Sequence, residues 1–320
     1  MIRPLVAALA VLAGIATAVH SQEYPSRLIK MVHGFPPGGN VDIIARILAH
    51  QLQSSVGQSV VVEGKPGVAG SLAAESVTRA DADGHTLLFL TSIHPMQGGL
   101  SKNVKYDVVN DFTWISTLSF YPFLICVRKD SPIQTLKQLI DEAKAKPEVI
   151  KYGSAGVGTG THTIVELLAN QTQSRFLHVP YRGESAIITA LLTGEVDFVL
   201  VTPGAIAARI RAGEFRALAV TSKTRWQEFA DVPTADEAGV AGFESTGWTG
   251  LAGPPHLPAP VVSRLNSEVR KAITDPQVKA RLEAMGGDPR AIAPEVMQAL
   301  VAGQYEIWKK LATSANLTIN

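Results

Sequence analysis

Short, solid apolar runs alternate along this chain with segments whose apolar positions repeat at the helical period. Leu28–Val32, Val60–Glu63, Thr86–Thr91, Phe123–Val127, Phe176–Val179, Val196–Val201 and Ala217–Thr221 lack polar alternation, so they read as strands buried on both faces. Between them, Val41, Ile44, Ala45, Leu48 and Leu52 keep one face of a helix. Ile164, Leu167 and Leu168 repeat the stripe, as do Ile187, Ile188, Leu191 and Leu192. Strands and helices that alternate with short connections predict an α/β fold of parallel sheets covered by helices.

The last quarter has a different pattern. After Gly253-Pro254-Pro255, Val262, Leu265, Val269 and Ile273 stripe one helix, and a short second one follows Pro276. A third carries Val296, Leu300, Ile307 and Leu311, and Gly286-Gly287 closes the middle one. Three helices in a row read as a cover on a sheet already built. Asp111–Asp130 and Glu244–Gly253 look extended, and both are expected to cross between two lobes. One lobe then comprises residues 22–122 plus 246–320, the other 123–245.

The first segment reads as an export signal. Arg3 is the positive n-region, Leu5–Val19 is apolar, and small residues offer a cut after Ala18 or Ser21. Residues 1–21 are therefore expected to be removed, leaving a periplasmic protein. That compartment suits a single cysteine, Cys126, which has no partner for an internal bridge and reads as a small buried hydrophobe. The whole chain of 320 residues has 29 Lys+Arg against 28 Asp+Glu, and the signal takes one base and no acid with it. A neutral mature chain has no basic field to hold a nucleic-acid backbone.

Glycine- and hydroxyl-rich turns carry the candidate chemistry. Gly34-Phe35-Pro36-Pro37-Gly38-Gly39-Asn40-Val41-Asp42 leads from a strand into a helix, and the glycine pair lets a ligand approach backbone amides. Gly153-Ser154-Ala155-Gly156-Val157-Gly158-Thr159-Gly160-Thr161-His162 repeats the arrangement as a donor nest suited to carboxylate or phosphate oxygens. Pro180-Tyr181-Arg182-Gly183 precedes a further helix. Such turns lie at strand carboxyl ends, where open α/β sheets bind ligands. Asp42 reads mainly as a helix-start partner with Arg46 at i, i+4, since its charge would oppose an anion. Asp197 reads as a hydrogen-bonded structural carboxylate, and Trp248 as hinge packing.

Enzyme signatures are missing from the same residues. There is no G-x-x-x-x-G-K-[ST], Thr161 stands where a dinucleotide fingerprint needs Gly or Ala, and Ser154 directly follows Gly153 rather than sitting in G-x-S-x-G. The histidines of the mature chain show no i, i+4 metal pair. No cofactor, metal or catalytic residue is nominated.

A run of ordered motifs resembles the tripartite tricarboxylate transporter receptors, also called Bug-type solute-binding proteins. Tyr24-Pro25 is followed by Pro37-Gly38-Gly39-Asn40-Val41-Asp42-Ile43-Ile44-Ala45-Arg46, then by Gly57–Gly64, Pro66-Gly67 and Gly70. Asp83-Gly84-His85-Thr86, Asp111-Phe112, His178–Gly183, Gly194–Asp197, Arg216–Thr221, Asp231–Gly239 and Trp248-Thr249-Gly250 continue the series, and the resemblance covers essentially the whole mature chain.

The resemblance implies a type II periplasmic-binding-protein fold whose two lobes close on a small di- or tricarboxylate or aromatic carboxylate. The ligand would be held by backbone amides and water and delivered by a monomer to membrane transporter subunits. A sensory receptor for the same ligands and an α/β enzyme in the same cleft are the alternatives. The expected contacts are Phe35, Pro37, Gly38, Gly39, Asn40 and Val41 in the first loop and Ser154, Gly158, Thr159, Thr161 and His162 in the second. Ser92, His94, Tyr181 and Thr202 are expected at the mouth. Asn40 and Val41 replace the family's usual Gly and Ser/Thr, and Thr202-Pro203 stand where many members have an acidic or amide residue. These departures favour a less polar or aromatic carboxylate over a citrate-like one.

Overall fold

The computed structural model describes residues 24–314, so the predicted signal segment 1–21 lies outside the described residues. A first sheet carries β1 (Ile29–His33), β2 (Val60–Gly64), β3 (Thr86–Thr91), β4 (Thr113–Tyr121), β10 (Gly247–Gly253) and the short β11 (Asp288–Pro289). A second holds β5 (Leu124–Arg128), β6 (Lys151–Ser154), β7 (Leu177–Pro180), β8 (Phe198–Val201) and β9 (Phe215–Val220). The helices are α1 (Asn40–Val56), α2 (Ser71–Thr78), α3 (Ile93–Leu100), α4 (Leu136–Ala145), α5 (Gly160–Thr172), α6 (Glu184–Thr193), α7 (Pro203–Arg211), α8 (Ala259–Thr274), α9 (Pro276–Ala284) and α10 (Pro294–Ser314). The architecture is the expected α/β one, with two open sheets.

Neither sheet is wholly parallel, contrary to the sequence reading. The orders are β11-β4-β10-β3-β1-β2 and β7-β6-β8-β5-β9. β3-β1-β2 and β7-β6-β8 are parallel, but β10 lies antiparallel between β3 and β4, and β5 lies antiparallel between β8 and β9. The cause is the double crossing, because a strand that arrives from the other sheet enters against the local direction.

The two extended segments are therefore central strands as well as crossings. β10 is buried along its whole length. Its glycines are needed for close approach: a Cβ at Gly250 would lie 2.7 Å from Met297 Cε and 2.8 Å from Ser116 O. The chain passes between sheets at Tyr121–Phe123 and again before Gly247. Thr221 ties these passages, donating to Ser245 O at 2.5 Å and accepting from Phe123 N at 2.9 Å.

The core follows the predicted apolar runs, with Ile29, Met31, Leu87, Phe89, Ile125, Val199 and Leu200 almost wholly buried. Each such side chain contributes about 1.5–3 kcal/mol of burial. The stripe on α10 is displaced, however. Val296 and Ile307 are exposed, while Met297, Val301, Trp308 and Leu311 are buried. Trp308 and Leu311, with Met96 and Leu100 of α3, pack into the core beside the second sheet. β11 also interrupts the three-helix run. No helix among the described residues is long and apolar enough to cross a membrane.

Candidate functional site

Three loops leave the carboxyl ends of the parallel strands of the first sheet. The β1–α1 loop is fixed from below by Asp42. Its buried carboxylate accepts from His33 Nε2 at 2.9 Å, Gly38 N at 3.0 Å and Arg46 Nε and Nη2 at 2.9 and 3.0 Å. The Arg46 bond, with help from Gly38 and His33, holds this carboxyl well below the usual range despite its burial. His33 Nδ1 accepts from Phe35 N at 3.3 Å, which fixes Nε2 as the protonated nitrogen facing Asp42. Asp42 is thus the anchor expected of it.

Above that anchor, Pro37, Gly38, Gly39 and Asn40 are exposed, while Phe35 and Val41 are half-buried. The glycine amides are already used, Gly38 N by Asp42 and Gly39 N by Pro36 O. The N–H groups of Asn40, Val41 and Asp42, in the first turn of α1, make no hydrogen bond among the described residues.

The β6–α5 loop of the second sheet is closed by its own side chains. Thr161 Oγ1 accepts from Ala155 N at 2.8 Å, Ser154 Oγ from Gly156 N at 3.2 Å and His162 Nδ1 from Gly158 N at 3.2 Å. Thr159 Oγ1 donates to Gly156 O at 2.7 Å. The donor nest read from the sequence is therefore largely spent internally. The amides left unpartnered in the first turn of α5 are those of Gly160 and Thr161.

Ser154 Oγ and His178 Nε2 lie 2.6 Å apart, a spacing that resembles a nucleophile and its base. Ser154 is fully buried, however, and no carboxylate orients His178 among the described residues, so the pair is a clamp. His178 stacks on His162 with centroids 4.2 Å apart and on Tyr152 at 4.9 Å. Burial, aided by the neighbouring His178, lowers His162 to a pKa of about 4, and burial lowers His178 as well. Both rings are neutral at pH 7.

Two contacts join the sheets near this loop. Gln97 Nε2 of α3 donates to Gly158 O at 3.4 Å, and Thr163 Oγ1 reaches Met96 Sδ at 2.7 Å. Beside them, Thr202 N and Oγ1 donate to Glu184 at 2.8 and 2.7 Å. Burial raises the Glu184 carboxyl. Burial and this nearby charge also push the Tyr121 phenol up, partly offset by the nearby Ser92 hydroxyl. Ser92 and Thr202, expected from opposite lobes, thus meet one cluster.

His94 and Tyr181 are placed differently from the other expected contacts. His94 is buried, donates from Nε2 to Val108 O at 2.9 Å, and packs against Tyr106, Phe112 and Trp114. Burial lowers it to about 4. It walls a small, partly open cavity of about 20 Å³. Tyr181 turns its hydroxyl to Glu195 at 3.1 Å and lays its ring beside Gly153. Among the described residues, no hydrogen bond joins the 35–41 and 154–162 loops directly. Asp197 is exposed rather than inside a strand, and accepts from Lys151 N at 2.7 Å. Trp248 is buried in the first sheet's core, bonded to Gln304 at 2.9 Å. Cys126 is buried, as expected.

Sequence reading missed Ser71, Gln97, Tyr106, Tyr121 and Glu184. A signal existed for two of them: Ser71 follows the Pro66-Gly67 and Gly70 motif, and Glu184 opens a helix directly after Gly183. Gln97 lies in a segment where Pro95, Gly98 and Gly99 disguise the short stripe of Ile93, Met96 and Leu100.

Known proteins are similar to this chain in sequence and fold. Residues 44–317 match the family described as the tripartite tricarboxylate transporter family receptor. A UPF0065 protein of Pseudomonas sp. strain P51 is 37% identical over 319 residues, spanning 97% of this chain and 95% of the relative. Among solved structures, an R. palustris protein with adipate is similar at TM-score 0.81 and 31% identity, covering 92% of this chain and 99% of the other. The periplasmic binding protein BugD is similar at TM-score 0.78 and 31% identity, with the same coverage. The chain belongs to this receptor family, whose members are solute-binding proteins rather than enzymes.

Proposed function

We propose that this member of the tripartite tricarboxylate transporter receptor family captures a small carboxylate outside the cytoplasm and hands it to membrane transporter subunits. Residues 22–122 plus 246–320 form one lobe and 123–245 the other, and the protein acts as an exported monomer. The observation that carries the reading is the pair of helix starts with free amides. Asn40–Asp42 on α1 and Gly160–Thr161 on α5 offer unpartnered N–H groups at strand ends of different sheets. Each start adds the positive end of a helix dipole, and Arg46 cancels the charge of Asp42, so an anion is met by amides in a neutral frame. The adipate of the R. palustris structure supports the ligand class.

Closure of the lobes on the ligand commits it to transport without covalent change. A thermal-shift screen of mono-, di- and tricarboxylates, aliphatic and aromatic, tests the reading. Ligand at about 100 times Kd stabilises by about 2.7 kcal/mol, a visible shift. A shift with a cationic solute and none with any carboxylate would overturn it. Gly39→Val tests the first helix start. Gly39 has φ −76°, which an L-residue adopts, and its added Cβ would sit 3.4 Å from Pro36 O. The variant is expected to fold and to lose at least about tenfold in affinity, since one blocked amide contact is worth that much. Unchanged binding would remove this loop from the site.

A further inference from the structure

The small cavity behind the first loop contains two polar atoms with no partner. Ser71 Oγ and Gln97 Oε1 are buried and make no hydrogen bond. Both residues line the same cavity of about 20 Å³, together with Phe35, Thr91, His94 and Tyr106. Gln97 is 3% exposed, and its orientation is fixed because its Nε2 donates to Gly158 O, leaving Oε1 as a bare acceptor. His94 donates from Nε2 to Val108 O, so its Nδ1 is an acceptor as well. The Tyr106 hydroxyl faces Ser71 without a bond of good geometry.

No Asp, Glu, Lys or Arg lines the cavity. A carboxylate there would oppose the acceptors Gln97 Oε1 and His94 Nδ1 and find only hydroxyl donors and no cation, at the cost of leaving water. A neutral group that donates and accepts would satisfy both orphans. The space holds about one water-sized group. Its rim is also unusual: Val68 and Ala69 have φ of 46° and 50°, between Gly67 and Gly70 at 146° and 97°. A β-branched residue held there is strained, and such strain persists only where surrounding structure imposes it.

We propose that this cavity is the subsite for the ligand's far end and accepts one uncharged hydroxyl or primary amide, so that the preferred ligand is a monocarboxylate bearing a neutral donor, not a dicarboxylate. This rests on the carboxylate reading above. Phe35 belongs to both the first loop and the cavity, and Gln97 links the cavity to Gly158 of the second loop, which sets the cavity against both loops that lead into the helix starts.

Calorimetric titration of the full mature chain with straight-chain carboxylates of graded length tests it, the far end being methyl, hydroxyl, primary amide or carboxylate. The hydroxyl or amide member is expected to bind about tenfold tighter than its methyl and carboxylate counterparts at one length. Ser71→Ala and Gln97→Met, each checked for cooperative melting, should remove that preference while the methyl series keeps its affinity. Tightest binding by dicarboxylates overturns the proposal and leaves the carboxylate reading intact. Equal binding of the methyl and hydroxyl series means the cavity holds only water, and likewise overturns it. A preference that survives in both variants places the donor elsewhere and also overturns it. If no carboxylate binds at all, the receptor reading fails with it, a result distinct from the other three.

Discussion

The two glycine-rich strand-to-helix loops, one on each sheet, are built on opposite plans. On the second sheet, the 154–162 loop spends the N–H groups of Ala155, Gly156 and Gly158 on its own Thr161, Ser154 and His162. Ser154 is then clamped by His178 from the adjacent strand. On the first sheet, the 34–42 loop has one deep anchor, Asp42, beneath an exposed Pro-Gly tip. Its neighbour at Gly67–Ser71 is strained and leaves Ser71 unpaired. One side is prebuilt; the other has unused bonding capacity. Only unspent groups can discriminate between ligands, so on the proposed reading selectivity rests on the first sheet.

The largest expected effect tests the single anchor. Asp42→Ala leaves buried His33 and the Gly38 amide without an acceptor and is expected to cost about 3 kcal/mol, read as a lower midpoint in urea unfolding. A loss under about 1 kcal/mol would mean the first loop does not depend on it.

Acid should discriminate between the loops next. His162 has its folded pKa lowered to about 4, and so does His94 beneath the first loop. The unfolded chain, near 6.5, binds the extra protons in between, so stability rises with pH through this window and falls on acidification from about 6.5 towards 4. The expected loss between pH 7 and 4.5 is about 2 kcal/mol per histidine, followed by thermal melting. Protonated His162 can no longer accept from Gly158 N, whereas Asp42 stays ionised over the same range. The second loop should therefore fail first, seen as earlier loss of amide-exchange protection at Gly158 than at Gly38. The reverse order would break the comparison.

Thr161→Val removes the acceptor of Ala155 N at nearly constant volume. It is expected to cost about 1–2 kcal/mol, because a buried amide loses its partner, and to weaken ligand binding as well. Thr161→Ser restores the oxygen and should recover most of both. The smallest effect has the opposite sign. Val68→Gly relieves a positive φ and is expected to stabilise by up to about 1 kcal/mol in calorimetric melting, which no change in the self-bonded loop should do.

Much of this was legible in local pattern, and the failures are instructive. Thr86–Thr91 was read with its true limits, and Val60–Glu63 to within one residue, because both are runs of apolar residues between turns. α3 was missed because Pro95, Gly98 and Gly99 disguise it. Its glycines are there for packing: a Cβ on Gly98 would lie 2.4 Å from Val108 Cγ1, and one on Gly99 2.7 Å from Trp308 Cβ. A residue that is small because a neighbour is close looks, in one dimension, like a residue that is small because the chain turns. For the same reason, the glycine-rich β10 looks in one dimension like a plain crossing. In the candidate loops, the glycine amides are satisfied within the loop and the free ones lie in the next helical turn, which residue order alone does not show.

The sequence by itself determined the α/β class, the family, the helix starts that follow both loops and the anchoring role of Asp42. Each depends on residue order over a few positions, where periodicity and turn chemistry act. Only the tertiary structure decided that the sheets are mixed, that β10 is a central strand, which donors are spent, and that Ser71 and Gln97 share one cavity. Those outcomes depend on partners far apart in the chain, such as Gln97 and Gly158 or Gly250 and Met297. Hydrogen-bond satisfaction and close approach are settled between such partners, not along the strand or helix that carries them.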